Sequence, residues 1–212
     1  MRGIKFNNLH SYDDFSLILN SKDIKSPSPK TNLIEIEGAD GVLDYSEYFG
    51  EVKYSNRQLS FEFSTIVEQA EFLNLFSEVQ NALHGKKMRI TLDDDPNFYY
   101  YGRISVNEWK SNGRIGKIVI EADCEPYKYK VAPTINSLSV NGTKTVVFDN
   151  LRKSVVPQFT TTAEFVIGFK GNSYTIIAGT FEIPALQFVA GENVVTFTGN
   201  GTVTVEYQEG GL

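Results

Sequence analysis

The chain is poor in the residue types that most enzyme chemistry needs. Of 212 residues, one is cysteine, one tryptophan and two histidine. A lone cysteine excludes an internal disulfide, so no oxidising compartment is implied. His10 and His84 accompany no Gly-x-Ser-x-Gly or other nucleophile motif, so no serine or cysteine hydrolase is expected. Gly168-Phe-Lys-Gly171 lacks the phosphate-loop pattern. Basic residues are also short: 20 Lys and Arg stand against 26 Asp and Glu, a net charge of −6. An acidic chain does not wrap the outside of nucleic acid, although it could wall a passage that DNA slides through without sticking. No apolar run approaches the ~18 residues of a membrane span, so no membrane insertion is expected. The N-terminus MRGIKFNNLHSYDDF has no apolar core of a signal peptide. Without that signal, Asn141-Gly-Thr and Asn200-Gly-Thr read as Asn-Gly turns rather than glycosylation sites.

What the chain does have is aromatic strand. Fifteen Phe and 11 Tyr accompany the one Trp, a bias that suits sheets. The dominant hydrophobic period is two. Ile34 and Ile36 alternate with Leu33, Glu35 and Glu37. Leu59, Phe61 and Phe63 share a face, as do Ile118, Ile120, Ala122 and Cys124, and Val203, Val205 and Tyr207. One stretch changes period: Ile66, Ala70, Leu73, Phe76, Val79 and Leu83 recur at helical spacing. Thr65 and Glu68 form a capping box and Gly85 fits a left-handed C-cap, which predicts one helix over about 66–84. Turn signals at LDDDPNF, KSNGR, Asn141-Gly142, Gly171-Asn172, Gly191-Glu192 and Gly199-Asn200-Gly201 predict hairpins. Beyond Lys130 only short strands follow. The expected organisation is a mixed β domain with one helix over 1–130 and a small β-sandwich over 131–212.

Three features invite a chemical reading. Asp93, Asp94 and Asp95 offer carboxylates for a hard cation, but they lack calcium-loop spacing and read better as a hairpin tip. Cys124 sits between Asp123 and Glu125, which oppose a thiolate, and alternation turns it inward as a small hydrophobe. The run Phe98-Tyr99-Tyr100-Tyr101 reads as a strand with aromatics on both faces, one toward a core and the other, Tyr99 and Tyr101, toward a subunit contact. No catalytic constellation, cofactor site or metal site is expected.

The order of segments carries a resemblance. IEGADGVLDYSEYFGEVKYSNRQLSFEF precedes the helix. KKMRITLDDDPNFYYYGRI and a strand ending ADCEPYKY follow it, and the chain closes on GENVVTFTGNGTVTVEYQEGGL. This series resembles the distal tail protein (Dit) family of long-tailed, siphovirus-like bacteriophages. The resemblance implies a tail-tube-like N-terminal sandwich or barrel that forms a hexameric ring around the DNA channel, and a C-terminal galectin-like or carbohydrate-binding-module-like sandwich. It implies a non-enzymatic structural hub in the virion's tail tip or baseplate, assembled in the bacterial host cytoplasm. The implied partners are five further copies of the chain, the tail-tube protein and a tail-tip protein of the tail-associated lysin kind, together with tape-measure and receptor-binding proteins. DNA would pass without specific binding. Candidate lumen-facing acids are Asp40, Asp44, Glu47, Glu51 and Asp93 to Asp95, since carboxylates repel phosphates. The alternative function is a host cell-wall glycan-binding module acting through the C-terminal sandwich.

Overall fold

The computed structural model describes residues 2–212 except Phe49, Glu68, Gly113 and Arg114; the side chains of Gln69, Ala70, Glu108, Ser111 and Asn112 are also outside the description. The chain forms two compact units, Met1–Pro126 and Tyr127–Leu212. It is mainly β, with one helix among the described residues.

In the first unit, alternation builds the sheet. The strands are β1 (Ile4–Phe6), β2 (Leu9–His10), β3 (Ile18–Ile24), β4 (Leu33–Glu35), β5 (Val42–Asp44), β6 (Arg57–Ile66), β7 (Lys87–Leu92), β8 (Asp95–Asn112) and β9 (Ile115–Cys124). All but β4 and β5 join one antiparallel sheet in the order β2-β1-β7-β8-β9-β6-β3. The sheet curls over itself. Phe6 on β1 meets Phe61 on β6 edge-to-face at 6.3 Å, and Lys22 on β3 pairs with Asp94 at the β7–β8 tip. The enclosed core holds the expected rows: Leu59, Phe61 and Phe63 from β6, and Ile118, Ile120, Ala122 and Cys124 from β9, all buried.

The helix, α1 (Gln69–Leu83), starts later than its period suggests. Ile66 is the last residue of β6 and is exposed. Thr65 is not a helix cap: it pairs with Gly116 in the sheet, and its buried hydroxyl has no hydrogen-bond partner. Strand pairing thus overrides the local capping pattern, whose other member, Glu68, lies outside the described residues. At the other end, Gly85 adopts φ +76°, as a left-handed cap requires. The helix buries Phe72, Val79 and Leu83, and Phe72 and Phe76 pack on Trp109.

The second unit contains β10 (Lys128–Lys130), β11 (Thr134–Asn150), β12 (Gln158–Thr161), β13 (Phe165–Phe169), β14 (Asn172–Ile176), β15 (Gly179–Glu182), β16 (Gly191–Tyr207) and β17 (Gly210–Gly211). Its frame is one long antiparallel pair. β11 and β16 run together without a break from Thr134↔Tyr207 to Asn150↔Gly191. On its other edge β16 pairs β13 through residues 195–199 and β12 through residues 203–206. The long pair therefore serves both layers of a β-sandwich and bends between them. The bend is where Asn141-Gly142 stands opposite Asn200-Gly199. Neither motif is a hairpin turn, contrary to the local pattern. Gly142 takes φ +86° and donates its N–H to Asn200 Oδ1 at 3.0 Å. The Asn-Gly pairs let two paired strands turn a corner together, because glycine alone reaches such φ freely. Phe148, Phe159, Phe165, Phe188 and Phe197 fill the space between the layers.

Candidate functional site

β4 and β5 form a separate two-stranded sheet at the tip of a long excursion between β3 and β6. Its root is a narrow ladder. Pro29 bridges Tyr54, Lys30 donates to Lys53 O at 2.7 Å, and Ser55 donates to Ser28 O at 2.9 Å. Beyond the root, residues 31–44 are exposed without interruption. Ile34 and Ile36 were expected to be half-buried by alternation. Instead both faces of the hairpin meet solvent: Leu33, Ile34, Ile36, Val42 and Leu43 are each between 43% and 53% exposed. Tyr45 and Tyr48 pack edge-to-face at 5.6 Å beside them. An isolated two-stranded hairpin is marginal in water, and a contiguous apolar patch of this kind marks an interaction surface.

Four of the candidate acids, Asp40, Asp44, Glu47 and Glu51, lie on this excursion. Asp44 accepts hydrogen bonds from the hydroxyl and N–H of Ser46, which hold its carboxyl below the usual range. The other candidates are elsewhere. Asp93 and Asp94 form the two-residue tip between β7 and β8. Asp93 accepts from Gly3 N at 2.7 Å and lies 3.1 Å from His10 Nε2. Asp94 is bound by the Lys22 ammonium, with Arg2 beside it, which lowers its pKa. Asp95 is already the first residue of β8. The tip acids thus fasten the N-terminal segment and β3 rather than only capping their own turn. Among the described residues, no group of three or more His, Cys, Asp and Glu is placed to hold a metal.

The aromatic run splits by face, as alternation requires. Tyr100 points into the core, opposite Ile90. Tyr99 and Tyr101 lie on the other face, Tyr99 under the Arg89 guanidinium and Tyr101 under the Lys87 ammonium, each cation 4.5 Å from the ring centroid; Tyr99, expected to be open to a subunit contact, is buried, and Tyr101 is half-buried. Sequence reasoning missed these cation–π pairs, though Lys87 and Arg89 alternate visibly in KKMRI. Cys124 is fully buried, and burial, helped by Asp123 and against the pull of Arg57, pushes its thiol to about 12. It is not a nucleophile at neutral pH.

Each unit also has a polar depression among its described residues. In the first, Asp23, Lys25, Gln58, Ser60 and Glu121 line a groove of about 310 Å³. In the second, Gln158, Glu182, Glu206 and Gln208 line a cleft of about 280 Å³ with Val155 and Val156. The aromatic of that cleft, Tyr207, is buried, and its hydroxyl donates to Asp149 O at 2.6 Å, so no open ring is offered for stacking on a sugar.

Neither a scan against protein-family models nor a search of curated proteins finds a match to this sequence. Among solved structures, the chain is similar to the crystal structure of the SPP1 Dit (gp 19.1) protein, described as a paradigm of the hub adsorption apparatus in phages that infect Gram-positive hosts. The TM-score is 0.73 at 14% identity, and the match covers 98% of this chain and 99% of that one. The fold is therefore Dit-like from end to end, as the order of sequence segments implies.

Proposed function

We propose that this protein is a structural hub of a phage tail tip, a ring of six copies joining the tail tube to the tail-tip and receptor-binding proteins. The observation that carries this reading is the whole-chain fold: both units and the excursion between β3 and β6 belong to one Dit-like architecture. The exposed apolar hairpin supports it, because such a surface suits assembly. A ring is a closed heterologous assembly, so every copy needs two different, complementary surfaces. In this reading the protein is a non-enzymatic component of the virion, assembled in the host cytoplasm. Its neighbours are the tail-tube protein, a tail-associated lysin-like tip protein, the tape measure and receptor-binding proteins. A net charge of −6 suits a wall past which DNA slides, with lumen positions drawn from Asp40, Asp44, Glu47, Glu51 and Asp93 to Asp95.

The test is the mass and shape of the purified full-length chain. Light scattering after gel filtration should give six copies, and negative-stain images a six-fold ring with a central hole. A strict monomer at the highest accessible concentration would refute the hub. A ring map with all the named acids on its outer rim would refute the lumen assignment alone.

A further inference from the structure

One residue of the first unit breaks the rule that fills its core. Arg57, Leu59, Phe61 and Phe63 alternate along the buried side of β6, so an arginine occupies a position of the apolar row. Arg57 is 4% exposed. Its Nε is sealed from solvent with no hydrogen-bond partner. Among the described residues its guanidinium makes no hydrogen bond and no ion pair. Arginine is almost never buried to this extent without a partner, and a buried charge left unpaired is costly. Nor does arginine shed its proton inside a protein to escape that cost.

Its surroundings offer no anion. Across the sheet the row of Arg57 continues through Cys124, Gly102 and Met88, none of them an acid. The acids beside Cys124 in the chain are engaged elsewhere. Asp123 accepts from Asn56 Nδ2 at 3.2 Å and from Gln58 Nε2 at 3.0 Å, and Glu125 takes the Lys87 ammonium at 3.0 Å. What the guanidinium does have is the Tyr100 ring, whose centroid lies 5.4 Å from Cζ. A ring face steadies a cation, yet it leaves the N–H groups at the edge of the guanidinium without acceptors.

We propose that Arg57 is an anion socket whose ligand is a carboxylate. The guanidinium fork matches the two oxygens of a carboxylate in a bidentate pair. Because Arg57 is almost covered, only the tip of such a group has room to reach it. The carboxylate comes either from a small organic acid or from an Asp, a Glu or a chain terminus of another protein molecule. Either source supplies the counter-charge that the core lacks, and either stabilises the first unit by binding its folded state alone. The assignment does not depend on how many copies assemble.

Formate is the probe, and the fluorescence of Trp109, the only tryptophan, follows thermal unfolding of the unit that holds Arg57. Sodium formate should raise the transition of the full-length chain by about 2 °C or more above equal sodium chloride. Arg57→Met should abolish that difference. In chloride it should also melt about 2 °C or more above the unaltered chain, because an apolar side chain of similar volume carries no buried charge. Arg57→Lys keeps the charge without the fork and should keep a smaller response. In the unaltered chain, formate should shift the Arg57 Nε–H resonance saturably, a readout that needs no variant. Equal responses to formate and chloride, or a formate response that survives in Arg57→Met, overturn the proposal. A response to phosphate as large as that to formate overturns the carboxylate assignment. Loss of the formate response once light scattering shows assembly assigns the socket to a carboxylate of another chain; a response retained there assigns it to a free acid.

Discussion

Replacing Gly116 with alanine places a methyl group where an aromatic ring already sits. Gly116 lies in β9 opposite Thr65. A Cβ built there would lie 1.8 and 1.9 Å from Cε2 and Cζ of Phe72, with the Thr65 methyl at 3.0 Å on the other side. Phe72 is 2% exposed and packs on Trp109. The ring cannot yield without lifting the first turn of α1 from the sheet. Truncating a buried Phe costs about 3–5 kcal/mol, and overpacking a filled site costs about 1–3 kcal/mol. Gly116→Ala should therefore destabilise the first unit by about 2–4 kcal/mol, between those limits. A double-mutant cycle isolates the cause. Phe72→Ala alone leaves a void beside Gly116, and adding Gly116→Ala puts a methyl into that void. The double variant should be no less stable than Phe72→Ala, a coupling of about 2–4 kcal/mol. Trp109 is the only tryptophan in the chain and touches both Phe72 and Phe76. Urea unfolding followed by its fluorescence therefore reports on this unit. If the two losses simply add, to within about 0.5 kcal/mol, then Gly116 is not there to admit the ring, and this account of how the helix is seated is wrong.

Three further outcomes follow from buried or constrained groups. The Cys124 thiol, held near pKa 12 against an ordinary 9.0, should not react with a disulfide reagent at pH 8 in the native protein and should react at once in urea. Because folding favours the protonated thiol, its stabilisation is whole below pH 9 and fades as pH rises toward 12; Cys124→Ala should shrink that alkaline loss in the first unit, and an unchanged profile would contradict it. Glu209 is 4% exposed and accepts from Lys130 and Thr134. Glu209→Ala leaves the Thr134 hydroxyl and the partly exposed Lys130 ammonium without their acceptor and should cost about 1–3 kcal/mol in the second unit, whereas no measurable loss would place the pair in the weak class of surface bridges. Gly142→Val forces a β-branched residue to φ +86° at the corner of the long strand pair and should cost at least about 1–3 kcal/mol. Thermal unfolding unchanged by that substitution would show that the corner does not need its glycine.

The rows that filled the two cores were legible because they obey one rule throughout. Leu59, Phe61 and Phe63, or Val203, Val205 and Tyr207, alternate with polar residues, and a strand half-buried in its own domain must do so. What local pattern could not supply was the identity of the opposing strand. Asn141-Gly142 has the composition of a hairpin turn. It becomes a corner because Asn200-Gly199 lies opposite and bends with it, two residues that are 58 positions away in sequence. Thr65 has the spacing of a helix cap, yet Gly116 claims it for the sheet. Asp93 and Asp94 read as turn formers from their neighbours, and their partners Gly3, His10 and Lys22 lie far along the chain.

The excursion between β3 and β6 is a different kind of mismatch. Its strand pairing was legible in part: Ile34 stands across from Leu43, while Ile36 lies just beyond the end of β4. The expectation that failed was burial. A sequence that alternates apolar and polar residues states that one side of a strand is to be covered, but not by what. In β6 and β9 the cover is the rest of the same unit. In β4 and β5 the same rule holds and the cover is missing, while Ile66 and Ile115 are left open in the same way at the far end of β6. Leaving such side chains in water forgoes roughly 1.5–3 kcal/mol for each that could be fully buried. An uncovered apolar surface of this kind suits contact with another chain.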